Sequence, residues 1–333
     1  MNNPLEILVY SQRKDEAVFI ERIASKYGVK LKLRAEAPDP KTAILAKGYS
    51  TISIITTPIA HKLMETFYGL GVRFISTRSI GYDHIDREAA KKIGMRIGNV
   101  SYAPDAVSNY TIMLILMAVR NIKHITQLSA VQDFSLQYQV MGRNLNNLTV
   151  GVAGTGRIGK RVIEHLKGFG CTILGWDKFI SQTDPAVCAV SWEELCAESD
   201  IISLHMPAAE DNYHIVNARS IARMKDGVVI INTARGSLID TTALIEGIES
   251  GKIGAAAVDV VEDESNLYYK DHRGEALPHR DLAILRSYPN VIVTPHLAFY
   301  TDQSVSDMVE NSVKSCIAFL RGEENPWEVS LIK

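Results

Sequence analysis

Apolar residues in the first hundred positions form short runs that alternate with amphipathic stretches. The short runs are rich in β-branched residues and have the length of buried strands. The stretches between them repeat apolar residues every three or four positions, as helices do. The predicted strands are EILVYS, VKLKLRA, TISIIT, VRFISTRS and MRIGNV, and the predicted helices are DEAVFIERIASKYG, a run from Pro40, HKLMETFYGLG and IDREAAKKIG. This alternation predicts a mostly parallel, doubly wound sheet.

A second alternation begins at Leu148, after one long helical pattern that runs from Pro104 through DAVSNYTIMLILMAVRNIKHI. The predicted strands are LTVGVAG, TILGWD, IISLHMP, GVVIINTA, GAAAVDV and NVIVTPH, and the predicted helices are RIGKRVIEHLKGFG, SWEELCAES, ARSIARMK and TTALIEGIESG. The predicted fold class is therefore α/β, with two doubly wound parallel-sheet domains.

The last predicted helix, DQSVSDMVENSVKSCIAFLRG, is amphipathic. One stripe of it is apolar or small, and it comprises Val305, Met308, Val309, Ser312, Val313 and Cys316. We expect this stripe to pack on the first unit. The second unit is then an insertion, and the predicted domains are residues 1–101 with 299–333, and residues 102–298.

Composition narrows the classes of protein. The 333 residues are 46% hydrophobic and 22% charged with a formal charge of -2, which is ordinary for a soluble enzyme of two domains. No basic stripe indicates a nucleic-acid partner. The N-terminus does not resemble a signal peptide, and the most apolar run, YTIMLILMAV, is too short to cross a membrane. Four cysteines lack disulfide or zinc spacing, so we expect reduced thiols, no metal and a cytoplasmic protein.

A glycine motif follows the first strand of the second unit. Gly154, Gly156 and Gly159 form G-x-G-x-x-G between an apolar strand and an amphipathic helix. In a dinucleotide site these glycines permit a tight turn, backbone approach to the pyrophosphate, and close packing of helix on strand. Asp177 ends the next strand, where a carboxylate binds the adenosine ribose and repels the 2′-phosphate of NADP. We therefore predict NAD as the cofactor, although the adjacent Lys178 could pair with that phosphate.

Three polar residues follow later strands of the same unit. Arg235 comes after VVIINTA, Glu264 after AAAVDVVED and His296 after VIVTP. Because ligands of open α/β sheets bind outside the carboxyl ends of the strands, we expect these residues beside the cofactor. Arg235 can bind the carboxylate of a 2-keto acid and polarise its carbonyl. His296 can exchange a proton with the carbonyl oxygen, and Glu264 can orient the imidazole.

Several of these segments together resemble a known family. The segments GTGRIG, INTARGSLID, AAVDVVEDE and VIVTPHLAFYT together resemble the D-2-hydroxyacid dehydrogenases, over nearly the whole length. Within that family, STRSIGYDHID and SNYTIMLILMAVRN resemble the D-lactate dehydrogenase and VanH-like branch. The resemblance implies a Rossmann NAD-binding domain inserted into a flavodoxin-like substrate domain. It also implies a homodimer that reduces 2-keto acids, pyruvate or larger aliphatic and aromatic ones, to D-2-hydroxy acids.

The resemblance also implies roles for individual residues. It supports Arg235, Glu264 and His296 as catalytic, with the register of the motif selecting Glu264 over Glu262 and Asp263. The positions that it implies for the cofactor, besides the glycines and Asp177, are Arg157, Ile158, Met206, Pro207, Asn212, Thr233, Ala234 and Asp259. The positions that it implies for the substrate are Ile80 and Gly81 through their backbone, and Tyr102.

Substrate size depends on the residue after the third strand. In the D-lactate branch this residue is often aromatic and caps a small pocket, whereas Ile55 stands there in this chain. Its smaller side chain would admit larger keto acids, and Phe299 either lines the same pocket or packs between domains. Two alternatives remain, a phosphoglycerate dehydrogenase-like enzyme and a non-catalytic NADH-sensing protein like the related corepressors. The first predicts added cationic residues for a phosphate and often a regulatory domain, whereas this sequence ends soon after its last predicted helix. The second can keep the Arg, Glu and His, but such proteins tend to carry long disordered tails, which this sequence does not show.

Overall fold

The computed structural model describes residues 5–178, 187–264 and 267–331. The chain divides into two compact units: unit 1 comprises Met1–Ala103 with Tyr300–Lys333, and unit 2 comprises Pro104–Phe299. Every helix in the described ranges is too short or too polar to cross a membrane.

Unit 1 contains one parallel sheet in which the strand order is β2-β1-β3-β4-β5. Its strands are β1 (Glu6–Val9), β2 (Lys30–Leu33), β3 (Thr51–Ile54), β4 (Phe74–Thr77) and β5 (Arg96–Gly98). Every ladder between them is parallel, and the order reverses between β1 and β3. This is the flavodoxin-like order, in which ligands bind at the point of reversal.

Four α-helices cover this sheet. They are α1 (Ala17–Tyr27), α2 (His61–Gly69), α3 (Arg87–Ile93) and, last in the chain, α11 (Asp302–Arg321). The apolar stripe of α11 is buried and packs on α1, β3 and β4. Thr301 caps the start of α11, and Gly322, with φ +67°, ends it in the left-handed conformation that glycine adopts without strain.

Unit 2 contains a parallel sheet of seven strands in the order β12-β11-β10-β9-β6-β7-β8. The strands are β6 (Thr149–Ala153), β7 (Thr172–Trp176), β8 (Cys188–Ala189), β9 (Ile201–Leu204), β10 (Val228–Asn232), β11 (Ile253–Val258) and β12 (Val291–Val293). Its order reverses between β6 and β9, as in a Rossmann sheet. The two sheets confirm the predicted fold class.

The helices of unit 2 flank both faces of the sheet. They are α4 (Asp105–Val119), α5 (Ile122–Ala130), α6 (Arg157–Lys167), α7 (Trp192–Glu198), α8 (Ala218–Arg223), α9 (Thr241–Glu249) and α10 (Arg280–Ser287). The prediction of a single helix from Pro104 is wrong, because the helix is interrupted at Asn121. This residue has φ +51°, which asparagine tolerates better than most residues, and a second helix starts after it.

One other local expectation needs correction, and two elements, β8 and α10, were not predicted. The run from Pro40 forms only a short 3₁₀ turn, because the Asp39 carboxylate accepts the amides of Lys41 and Thr42 and competes with helix formation. The two-residue strand β8 is too short to leave a pattern. Helix α10 lacks a usual capping residue at its start: the ring of His279 accepts the amide of Leu282 instead, at 3.1 Å.

Candidate active site

The turn from β6 to α6 requires its glycines. Gly154 has φ +93°, and a Cβ there would lie 2.7 Å from the carbonyl carbon of His205. A Cβ on Gly159 would lie 1.9 Å from the carbonyl oxygen of Gly154, so only glycine lets α6 pack this close to the turn. A Cβ on Gly156 would meet nothing within 4 Å, which leaves open space over the turn for a ligand.

Gly156 also stands at the N-cap of α6, where it contributes no side chain to cap the helix. Its first amides therefore offer donors and a partial positive charge to an anion. Arg157 is exposed and Ile158 half-buried in the first turn. These features fit the pyrophosphate of a dinucleotide.

Asp177 follows β7 and lies against the glycine turn. Its Oδ2 accepts the Thr155 amide at 2.7 Å and lies 3.3 Å from the Thr155 hydroxyl. The neighbouring Lys178 is exposed and pairs with Asp211. Thr155 was not predicted as a site residue, although its place inside the glycine motif is a signal that could have identified it.

The loop after β9 carries three of the positions implied for the cofactor. Met206 is buried beside Gly154, and the Asn212 side chain closes the loop by donating to the Pro207 carbonyl and accepting the amide of Ala209. His205 precedes them, and its Nε2 lies 2.8 Å from Ser203 Oγ. Burial lowers the pKa of His205 to about 3, so this imidazole is neutral at physiological pH.

Arg235 lies in the turn after β10. Buried Asn232 shapes this turn, because its side chain donates to the Arg235 carbonyl at 2.8 Å and accepts the Ala234 amide at 3.0 Å. The guanidinium is half-buried and donates to the Ala234 carbonyl. Thr233 is buried, with its hydroxyl 2.9 Å from that of Thr111 on α4.

Glu264 and His296 are in direct contact, although 32 residues separate them. Glu264 Oε1 bonds His296 Nδ1, and Glu264 Oε2 accepts the Val261 amide at 2.9 Å. Both side chains keep about a quarter of their surface exposed. The Phe299 ring meets the imidazole edge to face, with 6.3 Å between centroids. The carboxylate can therefore hold the ring orientation while Nε2 exchanges a proton.

Asp259 holds the backbone on either side of this histidine. Its fully buried carboxylate accepts the Thr294 hydroxyl at 2.5 Å and the amides of Leu297 and Ala298 at 2.9 and 2.8 Å. Burial raises the pKa of Asp259, and these hydrogen bonds oppose that change. His296 itself has φ +55°, a strained conformation for a residue with a side chain, which this anchor helps to maintain.

Two polar residues near His296 were missed by the sequence reasoning. Thr294 bonds Asp259, and Tyr269 donates its hydroxyl to the His296 carbonyl at 2.9 Å. Thr294 lies within the TPH motif and could have been chosen. Tyr269 gives no signal of its own, because it belongs to an irregular segment.

In unit 1, the implied substrate residues lie at the carboxyl ends of β3, β4 and β5. The carbonyls of Ile80 and Gly81 accept the side chains of Asn99 and Ser79, at 2.8 and 2.7 Å. The amides of Ile80 and Gly81 have no acceptor among the described residues. Ile55 and Tyr102 are half-buried.

These features define a class: a dinucleotide-binding α/β protein in which a histidine–carboxylate pair follows the strands of the Rossmann sheet. Residues 112–298 match the family model described as D-isomer specific 2-hydroxyacid dehydrogenase, NAD binding domain. The chain belongs to the D-isomer specific 2-hydroxyacid dehydrogenase family.

Individual relatives agree with this assignment. A D-specific alpha-keto acid dehydrogenase of Enterococcus faecium is 41% identical over 98% of this chain and 100% of the relative. An aromatic 2-oxoacid reductase of Clostridium sporogenes is 42% identical over 92% of this chain and 93% of the relative. The crystal structure of a D-lactate dehydrogenase from Treponema pallidum superposes with a TM-score of 0.86 at 35% identity, covering 98% of this chain and 100% of that chain.

These comparisons confirm the predicted family, an NAD-dependent oxidoreductase as the class of enzyme, and NAD as the cofactor. The roles of individual site residues stay predictions, and they enter the proposal below.

Proposed function

We propose that this enzyme reduces a 2-keto acid to the D-2-hydroxy acid with Arg235, Glu264 and His296 as its catalytic residues. The contact between Glu264 and His296 Nδ1 carries the proposal. It occupies one ring nitrogen, and Nε2 makes no hydrogen bond within the described part of the chain. One nitrogen is thus held by a carboxylate and the other is available to the substrate.

Each group has a defined task in reduction. When bound, NADH supplies hydride to the keto carbon. Arg235 binds the substrate carboxylate with its planar fork of donors and polarises the carbonyl. His296 donates a proton from Nε2 to the carbonyl oxygen, and Glu264 stabilises the imidazolium before this transfer. In oxidation His296 takes the proton back from the hydroxyl.

We further propose that the amides of Ile80 and Gly81 bind the substrate carboxylate and that Tyr102 contacts the substrate. Two adjacent amide donors without an acceptor, on a loop whose carbonyls are already bonded, support an anion-binding role. The cofactor positions from Arg157 to Asp259 are proposed for NAD on the family resemblance. The glycine at the N-cap of α6 and the open space beside it support those at the pyrophosphate.

The substrate is proposed to carry a side chain larger than the methyl group of pyruvate. Ile55 in place of an aromatic ring supports this, with Phe299 as the second proposed contact. One relative is named an aromatic 2-oxoacid reductase, which agrees with this size. The test is kcat/KM for pyruvate, 2-ketobutyrate, 2-ketoisocaproate and phenylpyruvate with NADH. A preference for pyruvate would contradict the size, and no turnover with any of the four would contradict the reaction.

The role of His296 is tested by His296→Ala, with His61→Ala as the control because His61 is an exposed imidazole at the start of α2. We expect kcat of His296→Ala to fall by about 10²–10⁴-fold with little change in KM, since a general acid contributes that much. In the unsubstituted enzyme, reduction should slow as pH rises and oxidation should slow as pH falls. A change confined to KM would contradict the role of proton donor.

We also propose a cytoplasmic homodimer. Large apolar side chains are exposed in one segment after α5, namely Val131, Phe134, Leu136, Tyr138 and Met141. A second copy would cover them. The four cysteines are free, which suits a reducing compartment. Light scattering should give twice the chain mass for the unsubstituted protein and the single mass for Phe134→Glu/Leu136→Glu, and a monomer before substitution would contradict the dimer.

A further inference from the structure

We propose that Glu262, held by His214 and Tyr213, is a positioning residue that fixes the turn from which Glu264 reaches His296. This inference rests on the proposed function, because it uses the roles assigned there to Glu264 and His296. It concerns a second imidazole–carboxylate pair, His214 with Glu262, which the sequence analysis did not predict.

The contacts of Glu262 are specific. His214 Nε2 lies 3.1 Å from Oε1 and 3.0 Å from Oε2 of Glu262, and the Tyr213 hydroxyl donates to Oε1 at 2.9 Å. The Tyr213 and His214 rings stack, with centroids 3.9 Å apart. The backbone of Glu262 is held as well, because its carbonyl lies 2.9 Å from Nε2 of His279. We call this arrangement of Tyr213, His214 and Glu262 the clasp.

The clasp joins the loops that carry the catalytic residues. The His214 amide donates to the Ser237 carbonyl at 2.9 Å, two residues beyond Arg235. Gly236 packs directly on the Glu264 turn, since a Cβ there would lie 2.0 Å from the Val261 carbonyl carbon. The clasp therefore fixes the turn of Glu264 to the loop of Arg235.

Backbone strain explains why contacts such as those of the clasp are needed. Seven non-glycine residues have positive φ in the described part of the chain, and four of them lie in this region. They are His214, Asp263, Tyr269 and His296, with φ between +51° and +64°. Asp263 stands between Glu262 and Glu264, so the two glutamates flank a strained residue. Such conformations persist only where surrounding contacts hold them, and the clasp is one of these contacts.

A loosened turn would change catalysis in a particular way. Glu264 Oε2 bonds the Val261 amide, so Glu264 moves with the turn. A carboxylate that contacts the imidazole less often stabilises the imidazolium less. Reduction would then lose rate at a lower pH than in the unsubstituted enzyme. Displacement of a catalytic group by a fraction of an ångström is also costly in rate. Substrate binding by Arg235 would change less.

The experiment compares Glu262→Gln with Asp263→Asn. Both remove one negative charge from the same turn, but Asp263 is exposed and belongs to neither imidazole pair, and asparagine tolerates its positive φ. We measure kcat and KM for keto acid reduction from pH 5 to 9, with the melting temperature of each variant. For Glu262→Gln we expect kcat to fall about tenfold, with KM within about twofold and the alkaline limb of the kcat profile about half a pH unit lower. Asp263→Asn should match the unsubstituted enzyme.

Equal profiles for the two variants would overturn the proposal. So would a fall in kcat of Glu262→Gln without movement of the alkaline limb, because that is the behaviour of a merely structural residue. If Glu262→Gln fails to fold, the variant Tyr213→Phe tests the proposal instead. It removes only one hydroxyl from the clasp and should lower kcat about two- to threefold with the same direction of pH shift, and an unchanged profile would refute the clasp. No turnover in the unsubstituted enzyme would instead contradict the proposed reaction.

Discussion

Unit 1 contains a buried ion pair, and its contacts predict how much unfolding free energy is lost when the pair is disrupted. Arg78 and Glu16 are 1% and 0% exposed. Arg78 Nε donates to Glu16 Oε1 at 3.0 Å, and the rest of the guanidinium donates to Ser53 Oγ and the Tyr10 carbonyl, both at 3.0 Å. Arg78 directly precedes the Ser79–Gly81 loop, so the same contacts hold the start of the proposed carboxylate site.

The perturbation is Glu16→Gln, which keeps the shape and removes the charge. Removing one partner of a buried pair costs about 3–5 kcal/mol, because the other charge stays buried without compensation. Since glutamine retains one acceptor oxygen for the guanidinium, we expect the lower end, about 3 kcal/mol of unfolding free energy. The double variant Glu16→Gln/Arg78→Met should recover much of this loss, because no unpaired charge remains.

The assay is urea unfolding followed by Trp327, which belongs to unit 1. The chain has three tryptophans, so a Trp176→Phe/Trp192→Phe background isolates this probe. The unfolding free energy then comes from linear extrapolation. A loss below about 1 kcal/mol, or a double variant in which the two single losses simply add, would refute the claim that the buried charge is the source of the cost.

Two other predictions concern the glycine turn and acid stability. Gly159→Ala should destabilise unit 2 by about 1–3 kcal/mol, because the new Cβ would lie 1.9 Å from the Gly154 carbonyl oxygen. It should also weaken NADH binding at least tenfold, and an unchanged Kd in a fluorescence titration would contradict this. Hydrogen bonds from Lys26, Tyr27 and Lys314 lower the pKa of Glu310 to about 2. Its stabilisation is complete above the ordinary glutamate pKa and is lost as pH falls from about 5 towards 2. After allowance for solvent screening, Glu310→Gln should be about 1 kcal/mol less stable than the unsubstituted protein at pH 7. At pH 2 the two proteins should be nearly equal in unfolding free energy. The same difference at both pH values would refute the link between the pKa of Glu310 and stability.

Most secondary structure could be predicted because each element carries its own periodicity. The burial of β3 and β10 and the amphipathic stripe of α11 are visible in a few consecutive residues. The errors fall where the signal is weak. Asn121 interrupts an apolar pattern that itself continues, and His279 caps α10 without being a usual capping residue.

The candidate site was predictable to the extent that it follows strand ends and motifs. The glycine turn, Asp177 and the pair of Glu264 with His296 lie where the pattern places them. The function of Asp259 in holding the backbone around His296 was not predicted, since the resemblance implied only a place along the cofactor. Its hydrogen bonds to Leu297 and Ala298 join residues 38 and 39 positions away, and no local pattern records such a distance.

The sequence by itself determined two α/β units, a dinucleotide turn and the residue types suited to hydride and proton transfer. It could do so because periodicity, glycine geometry and motif spacing act over short stretches of chain. Only the tertiary structure revealed that the same turn holds a second imidazole–carboxylate pair. Glu262 and Glu264 stand two residues apart in one turn, yet one pairs with His214 and the other with His296. That choice depends on how distant loops pack, as at Gly236 against Val261, and packing is a property of the whole fold.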